Sequence, residues 1–282
     1  MKKVLVAGAT GYLGRFVVEA LKERGYWVRA LGRNSSKLNP LRNVADELAI
    51  GEVTDSDSLA EVCDEIDVVF SSVGITRQKD GLTYQQVDYQ GNKNLLSIAQ
   101  RSGVSKFVYV HVLNANKMPD VAAVAAKQAF VDELEKSLLD YTVVCPTGFF
   151  SDMEEFLDMA RAGRVHLFGD GSNRINPIHG ADLAQACVDA LESEVKAVDI
   201  GGPEIFTYRE IAELAFKVLD KPSKISSMPR RLVSLMVGAM RLLTPVKTHG
   251  PLQFLATVMT MDVVGEQYGK QQLEEHFRSC TI

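Results

Sequence analysis

The apolar positions of this chain switch repeatedly between two periods. Residues 4–9, VLVAGA, form a continuous apolar run, the pattern of a strand buried on both faces of a parallel sheet. Residues 14–25 follow with helical spacing. Phe16, Val17, Ala20 and Leu21 share one face, and Gly25 suits a C-terminal cap. The alternation then continues. The pattern predicts strands over 26–33, 47–53, 67–74, 106–112 and 141–146, and helices over 55–66, 84–103 and 121–139. A β-α-β-α chain of this kind predicts an α/β fold with a doubly wound parallel sheet. After Pro146 the rhythm changes. Helices are expected over 151–163, at the end of 176–193, over 207–220 and 229–243, and more weakly near 265–277, with one short strand over 196–202. No fixed-period repeat is present, which excludes a solenoid.

Composition narrows the picture only a little. With 282 residues, a net charge of −5 and no extended basic run, a nucleic-acid partner is not expected. Cys63, Cys145, Cys187 and Cys280 are far apart and form no CxxC pair, so neither a zinc site nor a disulfide framework is expected. Reduced thiols in a cytoplasmic protein are the simplest reading. The apolar run after Met1 is short and breaks at Gly8, which reads as a strand rather than a leader. No apolar run reaches the length needed to span a bilayer.

The first strand-to-helix turn carries chemistry. Gly8-Ala9-Thr10-Gly11-Tyr12-Leu13-Gly14 is a GxxGxxG sequence between a predicted strand and a predicted helix. Glycine lets the backbone turn tightly and bring N–H groups against a pyrophosphate, and the helix N-terminus adds partial positive charge. The pattern therefore predicts a Rossmann-type core over 1–148, completed by about 175–201. A smaller, mainly helical lobe is expected from 149–174 and 202–282. NAD sites place an acid at the end of the second strand. Here that strand ends Leu31-Gly32-Arg33-Asn34, with Lys37 nearby. A guanidinium suits a 2′-phosphate, which favours NADP(H) over NAD(H) as cofactor.

Taken in order, TGYLGR (10–15), GEVTDSDSL (51–59), VVFSSVG (68–74), VDYQGNKNLL (87–96), GVSKFVYV (103–110), DYTVVCPTGFF (140–150) and NPIHGADLA (176–184) resemble segments of the short-chain dehydrogenase/reductase superfamily. The resemblance is to its atypical and extended branches. It is nearest to NmrA-like and isoflavone-reductase-like members and to relatives of divinyl chlorophyllide reductase. It implies that Thr10, Gly11, Tyr12 and Leu13 border the pyrophosphate, that Arg33 binds the adenosine phosphate and that Val53 touches adenine. It also implies that Ser71, Ser72, Val73 and Gly74 line the ribose and nicotinamide side, and that Pro146, Thr147, Gly148 and Phe149 flank the nicotinamide.

The same resemblance exposes a departure. The superfamily's usual chemistry uses a serine, a tyrosine and a lysine, with the tyrosine four residues before the lysine. A neighbouring ammonium lowers the phenol's pKa, normally near 10, so that it exchanges a proton near neutrality. Lys127 stands at the lysine position, but Ala123 stands four residues before it, and His111 occupies the serine position. Lys127 then has three readings. It holds the nicotinamide ribose and assists proton transfer, with His111 as orienter or proton donor. It holds cofactor in a protein that does no chemistry. Or it is a solvated helix lysine beside a structural histidine. The leading expectation is an NADP(H)-dependent reductase of a small or medium apolar substrate. The alternative is a non-catalytic NADP(H)-binding regulator, sensor or assembly factor with a protein partner.

Other candidates read more simply as structure. Tyr84 and Tyr89 follow the loop over 75–83, which should border the cofactor mouth, but both suit packing along the long helix. Tyr109 reads as core. Asp152, Glu154, Glu155 and Asp158 read as a solvated helix face, and His179 as a residue that ties the lobe to the sheet. The helix over 229–243 combines apolar residues with Arg230, Arg231 and Arg241. It could cap a pocket or lie on a membrane surface as a peripheral contact, but a buried lobe helix is the simpler expectation.

Overall fold

The computed structural model describes residues 1–75 and 81–281. Eight parallel strands form the main sheet: β1 (Lys3–Ala7), β2 (Trp27–Gly32), β3 (Glu47–Ile50), β4 (Val68–Ser71), β5 (Lys106–Val110), β6 (Asp140–Pro146), β9 (Ala197–Gly201) and β12 (Glu266–Gln267). Their order is β12-β9-β6-β5-β4-β1-β2-β3. The order of strand addition reverses between β1 and β4, the point at whose carboxyl end open α/β sheets bind ligands.

The continuous apolar runs are explained by burial on two sides. Val4 and Val6 of β1 face α1 (Tyr12–Glu23) and α6 (Gly180–Glu192) in one core. Leu5 and Ala7 face the opposite core, which includes Leu95 and Leu96 of α3 (Asn92–Arg101) and Phe130 and Leu134 of α4 (Ala122–Glu135). All four residues of β1 named here are fully buried. Each larger side chain contributes about 1.5–3 kcal/mol through burial. A third core joins α5 (Phe150–Arg161), α7 (Tyr208–Val218) and α10 (Leu273–Ser279) through Phe150, Phe156, Ile211, Phe216 and Phe277.

Several expectations change. Residues 55–66 do not form a helix. One 3-10 turn, Asp57–Leu59, is followed by turns. Ser58 Oγ donates toward the carbonyls of Glu52 and Asp55, and Asp55 accepts from the Asp57 N–H. Short polar side chains here compete with the helical ladder, while Leu59, Val62, Cys63 and Ile66 still pack on the sheet. The long helix over 84–103 begins as a π-helical stretch, Gln85–Gly91, before α3. The weak helix near 265–277 resolves into β12 and α10. The short strand β12 therefore returns to the main sheet from a segment assigned to the lobe.

The expected buried helix over 229–243 is a helix, α8 (Arg230–Leu243), but only Val233 in it is buried. A neighbouring helix, α9 (Val246–Met259), was hidden in the sequence by Gly250 and by Pro251 inside it. Two small ribbons lie outside the main sheet. β7 (Val165–Phe168) pairs with β11 (Ile225–Met228), and β8 (Arg174–Ile175) pairs with β10 (Phe206–Thr207).

Candidate functional site

The glycine turn has the geometry that phosphate binding needs. Gly8 has φ of 84°, and a Cβ there would stand 2.8 Å from Ser72 Oγ. A Cβ on Gly14 would collide with the Gly8 carbonyl oxygen and lie 2.8 Å from Ala9 Cα. Gly11 donates its N–H to the Gly8 carbonyl at 2.9 Å and stands at the N-terminus of α1. Among the described residues no side chain caps that end, and its first turn holds no acid. The first N–H groups of a helix have no internal partner, so this end presents donors and positive potential to an anion.

The Tyr12 side chain serves another purpose. Its hydroxyl accepts from the Gly180 N–H at 3.1 Å, and its ring packs edge-on against Phe16 and Phe149. Burial pushes its pKa up. Leu13 is buried in the core behind the turn. Thr10 lies against Gly32, the last residue of β2. The next residue, Arg33, is half exposed, and its guanidinium approaches Glu52 at 3.6 Å. The sequence shows no acid at the end of the second strand, but the fold brings one from beyond the third.

Across the switch point, Ser71 ends β4 and is fully buried. Its hydroxyl donates to Asn92 Oδ1 at 2.6 Å and accepts from the Val73 N–H. The Asn92 amide donates to the carbonyls of Asp88 and Val73. The segment from Ser71 to Gly74 is thus pinned to the π-helical stretch. Val53 packs where a Cβ on Gly91 would stand, 2.8 Å away, and its carbonyl accepts from the Asn94 side chain. Pi-helical turns often aim a side chain at a site. This one carries Asp88 inward.

Lys127, on α4, has a side chain that is 19% exposed and enters a cluster of buried groups. Its Nζ lies 3.4 Å from Asp88 Oδ1, 3.4 Å from the Tyr109 hydroxyl and 3.4 Å from the Val110 carbonyl. All three distances are long, which leaves the ammonium room for a shorter hydrogen bond. Asp88 is fully buried, and its Oδ1 has no hydrogen bond of normal length among the described residues. Burial pushes Lys127 down, but Tyr109 and Asp88 outweigh it and hold the ammonium above the ordinary lysine pKa. Burial raises Asp88, against the pull of Lys127. Burial also pushes the Tyr109 phenol up to about 12. A Cβ on Gly74 would lie 2.7 Å from Asp88 Oδ1 and 2.8 Å from Lys127 Nζ, so only glycine leaves this pair uncovered there.

His111 behaves differently from the expectation. Its Nε2 lies 3.2 Å from Gln128 Oε1, and Nδ1 is buried without a partner among the described residues. Burial and the nearby Lys127 charge push its pKa down to about 4, so the ring is neutral at pH 7 rather than titrating there. His111 also lines a cleft of about 410 Å³ with Gln128, Tyr141, Cys145 and Asp199, and neither Lys127 nor the glycine turn contributes to its wall. That cleft is open and polar. The crevice at Lys127, where the charged and orphaned atoms gather, is the better candidate for chemistry.

At the end of β6, Pro146 accepts from the Leu113 N–H, and Thr147 donates its hydroxyl to the Asn176 carbonyl at 2.6 Å. Gly148 accepts from the Ile178 N–H, and Phe149 caps α5 with Asp152, which accepts from the Phe149 N–H. These bonds hold the segment rigidly beside Tyr12. Asn176 is fully buried and bonds to both Gly202 and Gly265.

The remaining candidates are structural. His179 accepts from the Ala181 N–H at the start of α6 and packs among Phe16, Phe150 and His276. Tyr84 is buried against Gly250, and the Tyr89 hydroxyl accepts from Lys93. Of the acidic residues on α5, Glu154 pairs with His276 and Asp158 with Arg161. Residues 76–80 of the loop placed at the cofactor mouth lie outside the described residues. Asp88 and Tyr109 are the candidate site residues that sequence reasoning missed. The one available signal was an acid in the predicted helix, and its partner lies 39 positions away on another helix.

A parallel sheet reversing at β1 and β4, with an uncapped glycine turn at that point, defines a dinucleotide-binding protein. The chain belongs to the NAD(P)H-binding family, whose model matches residues 8–194, and it is of the atypical short-chain dehydrogenase/reductase type. Over 260 residues it is 31% identical to divinyl chlorophyllide a 8-vinyl-reductase of Cucumis sativus, covering 84% of this chain and 62% of that protein. It is 27% identical over 238 residues to the photosystem II assembly factor Ycf39 of Synechocystis, covering 83% of this chain and 73% of that one. The chain thus spans about three fifths of the length of the reductase it matches. Its fold is similar to that of the NADPH-dependent quinone oxidoreductase QOR2 from Escherichia coli, solved with NADPH. The TM-score there is 0.76 at 16% identity, covering 99% of this chain and 100% of that one. No helix among the described residues is long and apolar enough to cross a membrane.

Proposed function

We propose that this protein is an NADP(H)-dependent reductase of a small or medium, rather apolar substrate. The carrying observation is the half-buried Lys127 side chain, whose ammonium is held at long distance by Asp88, Tyr109 and the Val110 carbonyl beside Gly74. A bound nicotinamide cofactor supplies the hydride. The chain's own residues do the rest. The turn from Gly8 to Gly14 and the N-terminus of α1 hold the phosphates. Arg33 leaves Glu52 to bind a 2′-phosphate. The segments from Ser71 to Gly74 and from Pro146 to Phe149 form walls fixed by hydrogen bonds. Lys127 holds a ribose hydroxyl and supplies a proton at Nζ, and water restores it. Tyr109 stays protonated and buried, so it positions Lys127 and does not reach the substrate. His111 acts as a neutral polar group.

A second reading has its own support. Ala123 stands one turn before Lys127, so no phenol reaches the reacting centre from that side, and a relative is named as an assembly factor. In that reading Lys127 holds cofactor and no hydride leaves it. Single-turnover mixing of the NADPH complex with quinones and conjugated alkenes separates the two. A reductase shows loss of nicotinamide absorbance that Lys127→Met slows at least tenfold. Tight NADPH binding with no oxidation by any acceptor favours the second reading.

A further inference from the structure

Eleven large apolar side chains are exposed among the described residues, and six of them fall between Leu232 and Leu255. Scattered singly, such residues need no explanation; gathered on one element, they mark a contact surface. On α8, Leu232, Leu235, Ala239 and Leu242 recur at i, i+3, i+7 and i+10, which puts them on one stripe. Leu235, Leu242 and Leu243 are 70%, 89% and 82% exposed. The adjoining part of the same face is different. Val233 is buried and Met236, Val237 and Met240 are partly covered, in a helix whose packing partner is α9. The helix therefore has one broad apolar face, and the described residues cover only part of it. Val246, at the start of α9, extends the free apolar surface past the turn at Pro245.

Charge identifies what covers that surface. Residues 221–261 contain Lys221, Lys224, Arg230, Arg231, Arg241 and Lys247 and no Asp or Glu at all. The segment thus carries +6 on a chain whose total is −5. Arg231 and Arg241 directly precede Leu232 and Leu242, so cations flank the leucine stripe. Both α8 and α9 have 14 residues and do not span a bilayer. A 14-residue helix, roughly 21 Å long, lies in the plane of an interface with its leucines in the acyl boundary and its arginines at the headgroups.

We propose that α8 and the α8–α9 turn dock the protein onto an anionic lipid surface. The partner is the surface of a bilayer carrying acidic headgroups, bound without insertion of a spanning helix. The other residues carry 25 cations against 36 acids, a net −11, which favours an orientation with this segment toward the membrane.

The test is flotation of the full chain with vesicles of phosphatidylcholine alone and with added phosphatidylserine. Binding is expected only with phosphatidylserine, and 0.5 M salt should weaken it. Leu235→Glu with Leu242→Glu should weaken it more than tenfold. Arg231→Gln with Arg241→Gln should weaken it by about fivefold for each residue. Both pairs are exposed, so NADPH binding and the melting temperature should stay at wild-type values and show that the variants fold. Equal partition of wild type and leucine variant overturns the proposal. So does a dimer that dissolves on Leu235→Glu, Leu242→Glu while vesicle binding is absent, which would assign the face to a second copy of the chain. Binding to acidic proteins but not to vesicles overturns it as well.

Discussion

At the glycine turn, residues 8–14 present backbone N–H groups at one end of a helix, and hardly a side chain is involved. At Lys127 the polar atoms come from side chains and carbonyls on β5, α4 and the π-helical stretch. The two ends of one crevice are thus built in different ways. The first depends on where a Cβ cannot be. The second depends on a charge balance among buried groups. A backbone site tolerates changes around it and fails on one added methyl group. A side-chain cluster accommodates space and fails on one unpaired charge.

The largest effect should come from breaking that balance. Lys127→Met leaves the fully buried Asp88 carboxylate without a counter-charge. The expected cost is about 3–5 kcal/mol in chemical denaturation. Adding Asp88→Asn should recover most of it, and equal stability of single and double variants would show that the pair is not the source. Next comes pH. The unfolded histidine takes up its proton near pH 6.5, but folded His111 does so only near 4. Between those values the unfolded chain binds more protons. Stability from this group is complete above pH 6.5 and is lost as pH falls to 4, on the order of 3 kcal/mol. His111→Asn should flatten that slope.

At the other end, Gly14→Ala places a methyl group against the Gly8 carbonyl. It should lower stability by about 1–3 kcal/mol and abolish dinucleotide binding, read by nicotinamide fluorescence. Retained binding would mean the turn is only structural. The smallest effect is selective. Arg33→Glu should weaken NADPH by about 10- to 100-fold through loss of one charge-assisted contact and leave NADH nearly unchanged. Equal loss of both would sink the assignment of Arg33 to a 2′-phosphate.

The same contrast explains what the sequence makes legible. Local patterns foretell the parallel sheet and the glycine turn, because apolar runs and GxxGxxG encode them within a dozen residues. Lys127 is located by its place in a series of segments. Its companions are not, because Asp88 and Tyr109 meet it only after two helices and a strand have packed. Glu52 beside Arg33 escaped for the same reason. Residues 55–66 misled because Asp55 and Ser58 cap and turn rather than propagate a helix. Helix α8 misled in the opposite sense. Its apolar content reads as core, but among the described residues no neighbour covers half of it.

Asn176 ties early and late chain together. Its amide waits, buried, for the Gly265 carbonyl and N–H, which follow 89 positions later. At roughly 5–20 residues per second during synthesis, that is a delay of several seconds after Asn176 itself is made. From the moment β9 (Ala197–Gly201) is made until β12 (Glu266–Gln267) emerges, β9 stands as an unprotected sheet edge. The newborn chain therefore passes through an interval in which its cofactor turn is complete but its sheet is open to pairing with other chains.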